Sequence, residues 1–274
     1  MIRLGHIEYS NCFPVHARFL AQGPPAGVRI RSGVPSELNR ALAAGEVDVA
    51  PCSSIEYARH ADRYRILPGL TIAARGAVRS IVLESAVPLD ALDGRTVALP
   101  TVSASSVLLL RLLLERRHGV RPVYTWFSQG DDARPLDEGA AAALFIGDVA
   151  LRRVARAAAV FDLGRLWTEW TGLPFVFALW QTTLGPARDR ELATLQSELC
   201  ASLAWFAANL DRLAEERAPG YGLGAPALAQ YWSGIQYDLD EAAIAGLERF
   251  YRGAAELGDI AVAPGLRWAP GGQR

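Results

Sequence analysis

Four times in the first 150 residues an apolar, strand-like run gives way through small polar or glycine residues to a helix-like pattern. The joints read Ser10-Asn11-Cys12, Cys52-Ser53-Ser54, Ser103-Ala104-Ser105-Ser106 and Gly147-Asp148. No other feature constrains the chain as strongly. The order is that of an α/β domain with a mainly parallel sheet, in which each helix turns its free N–H groups toward the crevice at the carboxyl ends of the strands. Ser, Asn and Gly let a ligand approach those groups and add hydrogen bonds of their own, which favours an anion such as a carboxylate or phosphate. Any single joint has an ordinary explanation as a helix N-cap. Four of them on successive units, two per lobe, are expected to line one cleft from both walls.

The remaining elements follow from pattern. Residues 2–9 read as a first strand. Pro35-Ser36 opens a helix with Leu38, Ala41 and Leu42 on one face, and Gly45 stops it. A short strand at 47–50, a turn at 51–54 and a helix through Tyr57 come next. Strands are expected at 66–74 and 80–85, and after the Asp93-Gly94 turn. Residues 101–120 form the clearest helix, with Ser103, Ser105 and Ser106 at its start and Arg116, Arg117, His118 and Gly119 at its end. PVYTWFS, AAALFIGDV and residues 173–183 add strands, and from about 187 to the end the pattern is mostly helical. Apolar crossings near 80–88 and 175–183, with no flexible linker, imply two lobes: residues 1–85 with 177–274 in the first, to which the C-terminal helices return, and 86–176 in the second. A cleft between lobes is a common small-molecule site.

Composition narrows the function. The 274 residues are 51% hydrophobic and 21% charged, with a net charge of −1 and no basic run. A surface built to neutralise nucleic-acid phosphates is therefore not expected. The chain has no lysine, so all 28 basic residues are arginine and Schiff-base chemistry is excluded. Cys12, Cys52 and Cys200 are far apart, and His6, His16, His60 and His118 do not cluster. Neither a disulfide framework nor a metal motif is present, which fits a reducing compartment. MIRLGHIEYS has no leader pattern and no apolar run is long enough to span a bilayer, so a cytoplasmic protein without membrane contact is expected.

Chemistry-bearing residues outside the joints are few. His6 and His16 flank the first joint, where structural roles are the commoner use. Glu56 and Asp148 are candidates for acid–base work, with solvated or capping roles equally open. Cys12 and Cys52 read as packing residues, and Trp167 and Trp170 as core. Arg75 or Arg79 could pair a carboxylate, although surface arginines are commoner.

In this setting IEYSNCFPV resembles the strand and Asn-x-x-Pro turn of the chorismate dehydratase family of menaquinone biosynthesis by the futalosine route. The resemblance continues in order through VPSELNRALAAGEVDVAPCSSIEYAR, GAVRSIVLES, VALPTVSASSVLLLRLLL and ALFIGDVAL, covering most of residues 1–185. It implies a two-lobed α/β fold like that of type II periplasmic binding proteins. It also implies a carbon–oxygen lyase, a hydro-lyase that converts chorismate to 3-[(1-carboxyvinyl)oxy]benzoate with no metal or organic cofactor. It places Asn11 and Ser80 nearest the reacting centre. Ser10, Ser53, Ser54, Ser103, Ser105, Ser106, Gly147 and Asp148 are the matching substrate-binding positions. Ser105 stands where relatives often have Thr, and Cys52 where other small residues are usual. The alternatives are a solute-binding protein of the same fold, which would need export; a ligand-sensing module, for which no DNA-binding segment is attached; and the sister dihydroxynaphthoate synthase. That synthase favours a Pro-Asn-Asp first turn, where this chain has Ser-Asn-Cys-Phe-Pro.

Overall fold

A computed structural model of the chain describes residues 1–154 and 157–271. Two five-stranded sheets form. The first holds β1 (Ile2–Ile7), β2 (Val28–Gly33), β3 (Val49–Ser53), β4 (Arg65–Ala74) and β10 (Phe175–Thr182), in the order β2-β1-β3-β10-β4. The second holds β5 (Ile81–Ser85), β6 (Thr96–Pro100), β7 (Val123–Phe127), β8 (Ala142–Ile146) and β9 (Ala159–Asp162), in the order β7-β6-β8-β5-β9.

The sheets are mixed rather than mainly parallel. β1 pairs β2 and β3 in parallel, and β6 pairs β7 and β8 in parallel. β10 then lies antiparallel between β3 and β4, and β5 antiparallel between β8 and β9. These are the two strands that enter a sheet from the other lobe. A chain arriving across the hinge starts at the cleft end and must run away from it, opposite to its neighbours. Residues 81–85, placed with the first lobe on sequence grounds, pair in the second sheet, so the first crossing lies at 75–80. β10 belongs to the first sheet from Phe175 onward.

Most expected elements are present with shifted ends. β3 runs on to Ser53, so Pro51 and Cys52, read as a turn, are strand residues opposite Trp180 and Leu179. The helix expected at 101–120 is α4 (Ala104–Leu112), which widens into a π-helical turn at Leu113–Arg117. β2, β9 and α6 (Leu163–Thr171) were not anticipated. β2 hides because it is an edge strand in which half-buried Val28 and Ile30 alternate with arginines. The helical tail resolves into α7 (Asp189–Ala207), α8 (Leu210–Tyr221), α9 (Ala225–Gly234) and α10 (Glu241–Glu256), and residues 272–274 lie outside the described chain. Among the described residues no helix is long and apolar enough to cross a membrane.

α1 (Phe13–Gln22) follows the first joint. Its first turn contains Pro14, where no N–H is required, and it buries Phe13, Val15 and Phe19. α10 packs on β10 of the first sheet and on α4 of the second, so the tail serves both lobes rather than the first alone. The approach is close: a Cβ at Gly246 would sit 2.1 Å from the Pro174 carbonyl oxygen. One apolar core runs without a break through both lobes.

Under the first joint the buried rings of His6 and His16 meet Nδ1 to Nδ1 at 2.8 Å. One ring must donate and the other accept, which two imidazolium rings could not do. Burial lowers His6 to about 4 and holds His16 well below its usual 6.5, with His6 adding to the latter shift. The unfolded chain therefore takes up protons first. This contribution to stability is complete above about pH 6.5 and is lost as pH falls through the folded value. The His6 ring should titrate near pH 4 in an NMR titration of the folded protein; a midpoint near 6.5 would remove the pair from the core.

Candidate active site

The four joints converge on one cleft between the sheets. Its first-lobe wall is Ile7, Tyr9, Asn11 and Cys12 from the β1–α1 joint, with Ser53 from the end of β3. Its second-lobe wall is Val102, Ser103 and Ser106 at the start of α4, with Ile146 and Gly147 after β8. Ser80 and Ile81 enter where the chain crosses, and Ile72, Phe177 and Ala178 supply apolar floor. The empty space, counted to its mouth, is about 540 Å³. Among the described residues lining it there is no Asp, Glu, Arg or His. Any anion here is held by hydroxyls, amides and helix N-termini alone.

Asn11 does not cap α1. The N-cap is Cys12, no side chain caps that helix, and the buried Asn11 Oδ1 has no hydrogen-bond partner. A buried amide oxygen left without a donor is costly, and its residue lines a cleft where a ligand can supply one. Its main chain is fixed from outside the joint: Tyr237 Oη donates to the Asn11 carbonyl at 3.2 Å.

Ser80 follows Arg79, the only described non-glycine residue in the left-handed region, at φ 66°. Such backbone costs on the order of 1–3 kcal/mol and persists only where neighbours enforce it. Here Asp162 enforces it, accepting from the N–H groups of Arg79 at 2.6 Å, Val78 at 3.0 Å and Arg165 at 3.0 Å. The same carboxylate therefore caps α6 and shapes the turn that delivers Ser80. The Ser80 carbonyl accepts from Gly147 N–H at 2.7 Å, and its hydroxyl accepts from Tyr231 Oη at 2.9 Å. Glycine suits position 147 because its φ of 63° lies in the left-handed region, while a Cβ there would make only ordinary contact with the Tyr9 ring at 3.4 Å.

Four of the anticipated binding residues lie behind the walls instead of in them. Ser10 and Asp148 bind each other across the lobes: the Ser10 N–H lies 3.2 Å from both carboxylate oxygens and its hydroxyl donates to Oδ1. Burial raises the Asp148 pKa, while these hydrogen bonds act in the opposite direction. Trp232 Nε1 donates to the Ser10 carbonyl at 2.8 Å. Ser54 and Ser105 form a second bridge. Ser54 Oγ donates to the Val176 carbonyl at 2.7 Å, so the Ser105 hydroxyl, 3.0 Å away, donates to Ser54 and accepts from Ile55 N–H at 3.1 Å. Ser103, in contrast, caps its own helix and donates to Ser106 Oγ at 2.9 Å on the cleft wall.

The other candidates are accounted for elsewhere. Glu56 pairs with Arg59 at 2.9 Å, and Arg75 and Arg79 are exposed and absent from the wall. Trp167 packs against Phe175 and Phe250 in the core. Cys12 and Cys52 are buried thiols pushed up by that burial. No cluster of three or more metal-ligating side chains occurs among the described residues. Tyr231, Trp232 and Tyr237 were not singled out from the sequence. Their signal was present: three aromatics with polar tips within seven residues of a helical tail, each of which needs a partner once buried.

This arrangement, two mixed α/β sheets with a cleft between strand ends, defines the class of periplasmic-binding-protein-like folds. A protein of Archaeoglobus fulgidus superposes with a TM-score of 0.76 at 24% identity, covering 94% of this chain and 98% of that one. The periplasmic aliphatic sulphonate binding protein of Escherichia coli superposes with a TM-score of 0.67 at 17% identity, covering 96% and 94%. Sequence relatives are more specific. Residues 2–256 match a family described as menaquinone biosynthesis. A chorismate dehydratase of Thermus thermophilus is 34% identical over 267 residues, 90% of this chain and 93% of its own length, and one of Campylobacter jejuni is 31% identical over 179 residues, 64% of each. The chain belongs to this menaquinone-biosynthesis family.

The bridging serine can be told from a wall serine by stability. Ser105→Ala removes the acceptor of a buried N–H and should destabilise the protein by about 1–3 kcal/mol in urea unfolding. Ser106→Ala, at the cleft, should cost measurably less. Equal losses would contradict this division of labour.

Proposed function

We propose that this protein is a chorismate dehydratase, a hydro-lyase that removes water from chorismate to give 3-[(1-carboxyvinyl)oxy]benzoate. The observation that carries this assignment is its kinship with two chorismate dehydratases. The cleft supports it on chemical grounds. The substrate is a dianion with an apolar ring, and the walls offer uncharged donors and apolar floor. We place the reaction in a reducing, cytoplasmic setting, to which three unpaired cysteines are suited.

The step is an elimination. The C3 proton and the C4 hydroxide leave together as water, and the ring becomes aromatic, which makes the product strongly favoured. No carboxylate or imidazole is found among the described residues that line the cleft to take the proton. The enolpyruvyl carboxylate of the substrate itself serves as base, taking the C3 proton and passing it to the departing C4 hydroxide, so that water leaves and the carboxylate is regenerated. Asn11 is assigned to orientation: its unpartnered Oδ1 accepts from a substrate hydroxyl and its amide N–H groups hold a carboxylate. The Ser80 hydroxyl is assigned to the departing oxygen. Ser53, Ser103, Ser106 and Gly147 are assigned to the carboxylates, and Ser10, Ser54, Ser105 and Asp148 to holding the lobes in register.

The titratable groups of the wall are Tyr9 and Cys12, and burial raises both. Neither ionises near neutrality, and the substrate carboxylates are already charged. Turnover at saturating chorismate should therefore be flat between about pH 6 and 8.5. A bell-shaped profile in that range would point to a protein base.

Incubating the purified protein with chorismate and following the aromatic product by absorbance tests the activity directly. Asn11→Ala should fold and lose about 100-fold in turnover. Asn11→Asp should also fail, because a carboxylate beside a dianion is repulsive. Near-normal turnover by Asn11→Asp would take Asn11 out of the site.

A further inference from the structure

Two hydroxyls meet at the cleft wall, and only one has another place to send its proton. Tyr231 and Ser80 are hydrogen-bonded at 2.9 Å, and both are buried, Tyr231 at 3% and Ser80 at 1% exposure. A hydroxyl pair has two protons and one shared bond. If Ser80 donated to Tyr231, the phenol proton would have to find an acceptor in the interior, and Tyr231 Oη contacts no other acceptor among the described residues. If Tyr231 donates, the proton left over is that of Ser80, whose side chain borders the cleft. The second arrangement leaves the free proton on the residue that lines the cleft, where a ligand can accept it, and is favoured.

We propose that Tyr231 is a positioning residue that locks the Ser80 hydroxyl as a hydrogen-bond donor pointing into the cleft, toward the oxygen that departs from the substrate. This rests on the dehydratase assignment. The geometry around Ser80 supports the lock from every side. Asp162 sets the turn before it, Gly147 N–H holds its carbonyl, and Tyr231 holds its side-chain oxygen. Only the hydroxyl proton remains free to turn, and the incoming phenol proton restricts that last rotation. Donation from Tyr231 also polarises the Ser80 O–H, making it a better donor to a developing hydroxide. Tyr231 itself does not give up its proton. Burial pushes its pKa far up, so a tyrosinate is inaccessible and the phenol remains a donor throughout the cycle. Neighbouring Trp232, which holds Ser10, and Tyr237, which holds Asn11, give the same segment a grip on both turns that carry the assigned catalytic side chains.

The test is a double-mutant cycle on chorismate turnover with Tyr231→Phe, Ser80→Ala and the pair. Tyr231→Phe should lower kcat about tenfold, the weight of one hydrogen bond, while KM stays within about twofold. In the Ser80→Ala background the same change should have no further effect on kcat, since nothing remains to be oriented. Tyr57→Phe, which removes another buried tyrosine hydroxyl outside the cleft lining, controls for loss of stability and should keep wild-type turnover. A ring-fluorinated tyrosine at position 231 keeps the shape and strengthens the donor, so it should shift kcat without moving the melting temperature. It answers the question even if Tyr231→Phe folds poorly. Wild-type kcat in Tyr231→Phe, an equal loss in the presence and absence of Ser80, or an unmoved kcat with fluorotyrosine would each overturn the proposal. Inactivity of the wild-type protein on chorismate would instead overturn the dehydratase assignment, and the role of Tyr231 with it.

Discussion

The cleft depends on a seam in which each lobe satisfies buried polar groups of the other. Ser105 of the second lobe accepts the Ile55 N–H in the first turn of α3 (Ser54–Arg59) in the first lobe, and Asp148 accepts the N–H and hydroxyl of Ser10. A helix start or a carboxylate buried without such partners would cost several kcal/mol, so the lobes cannot part at these points without letting water in. The contacts lie directly behind the wall residues. Asn11 follows Ser10, Ser53 precedes Ser54, Ser106 follows Ser105 and Gly147 precedes Asp148. At each joint one small polar residue is spent on the seam and its neighbour is turned to the cleft.

The charge-free wall is the chemical counterpart of that seam. Arginines are plentiful in the chain and are engaged elsewhere, as in Arg3–Asp48 and Arg153–Glu84. A site that grips anions with hydroxyls and peptide N–H groups offers fixed dipoles whose orientation is set before the ligand arrives. It avoids a strong cation that would hold a dianionic product as tightly as the substrate. For an elimination that ends in an aromatic ring the driving force lies in the substrate, so orientation is the larger part of what the protein must supply.

Among the described non-glycine residues, left-handed backbone appears at one place, next to Ser80. Arg79 occupies left-handed backbone because Asp162 binds the N–H groups of residues 78 and 79 while capping α6. The tail then completes the turn through Tyr231. A segment that looks like generic helical packing thus holds the two turns proposed to do the chemistry. That is the physical reason for its attachment to both lobes, with α9 at the turns and α10 across β10 and α4.

The sequence by itself determined much of the local grammar: most of the strand runs, the starts of the main helices, and the recurrence of small polar joints at strand ends, while β2, β9 and α6 escaped it. Those are short-range properties, set by hydrophobic periodicity and by the need of a helix start for acceptors, and they were enough to place the joints together around one cleft. It also carried the family resemblance, because Asn-x-x-Pro and its companion motifs are contiguous. Which residue of each joint faces the ligand was left to the tertiary structure. Ser105 and Ser106 are identical in type and adjacent, and only the approach of Ile55 from the other lobe turns one into a bridge and leaves the other on the wall. The antiparallel course of β5 and β10 was likewise decided by the direction from which the chain crosses the hinge. The partnership of Tyr231 with Ser80 spans 151 residues. No pattern within a helix or strand reports a contact over that separation; it exists only because two lobes and a C-terminal helix pack against the same turn.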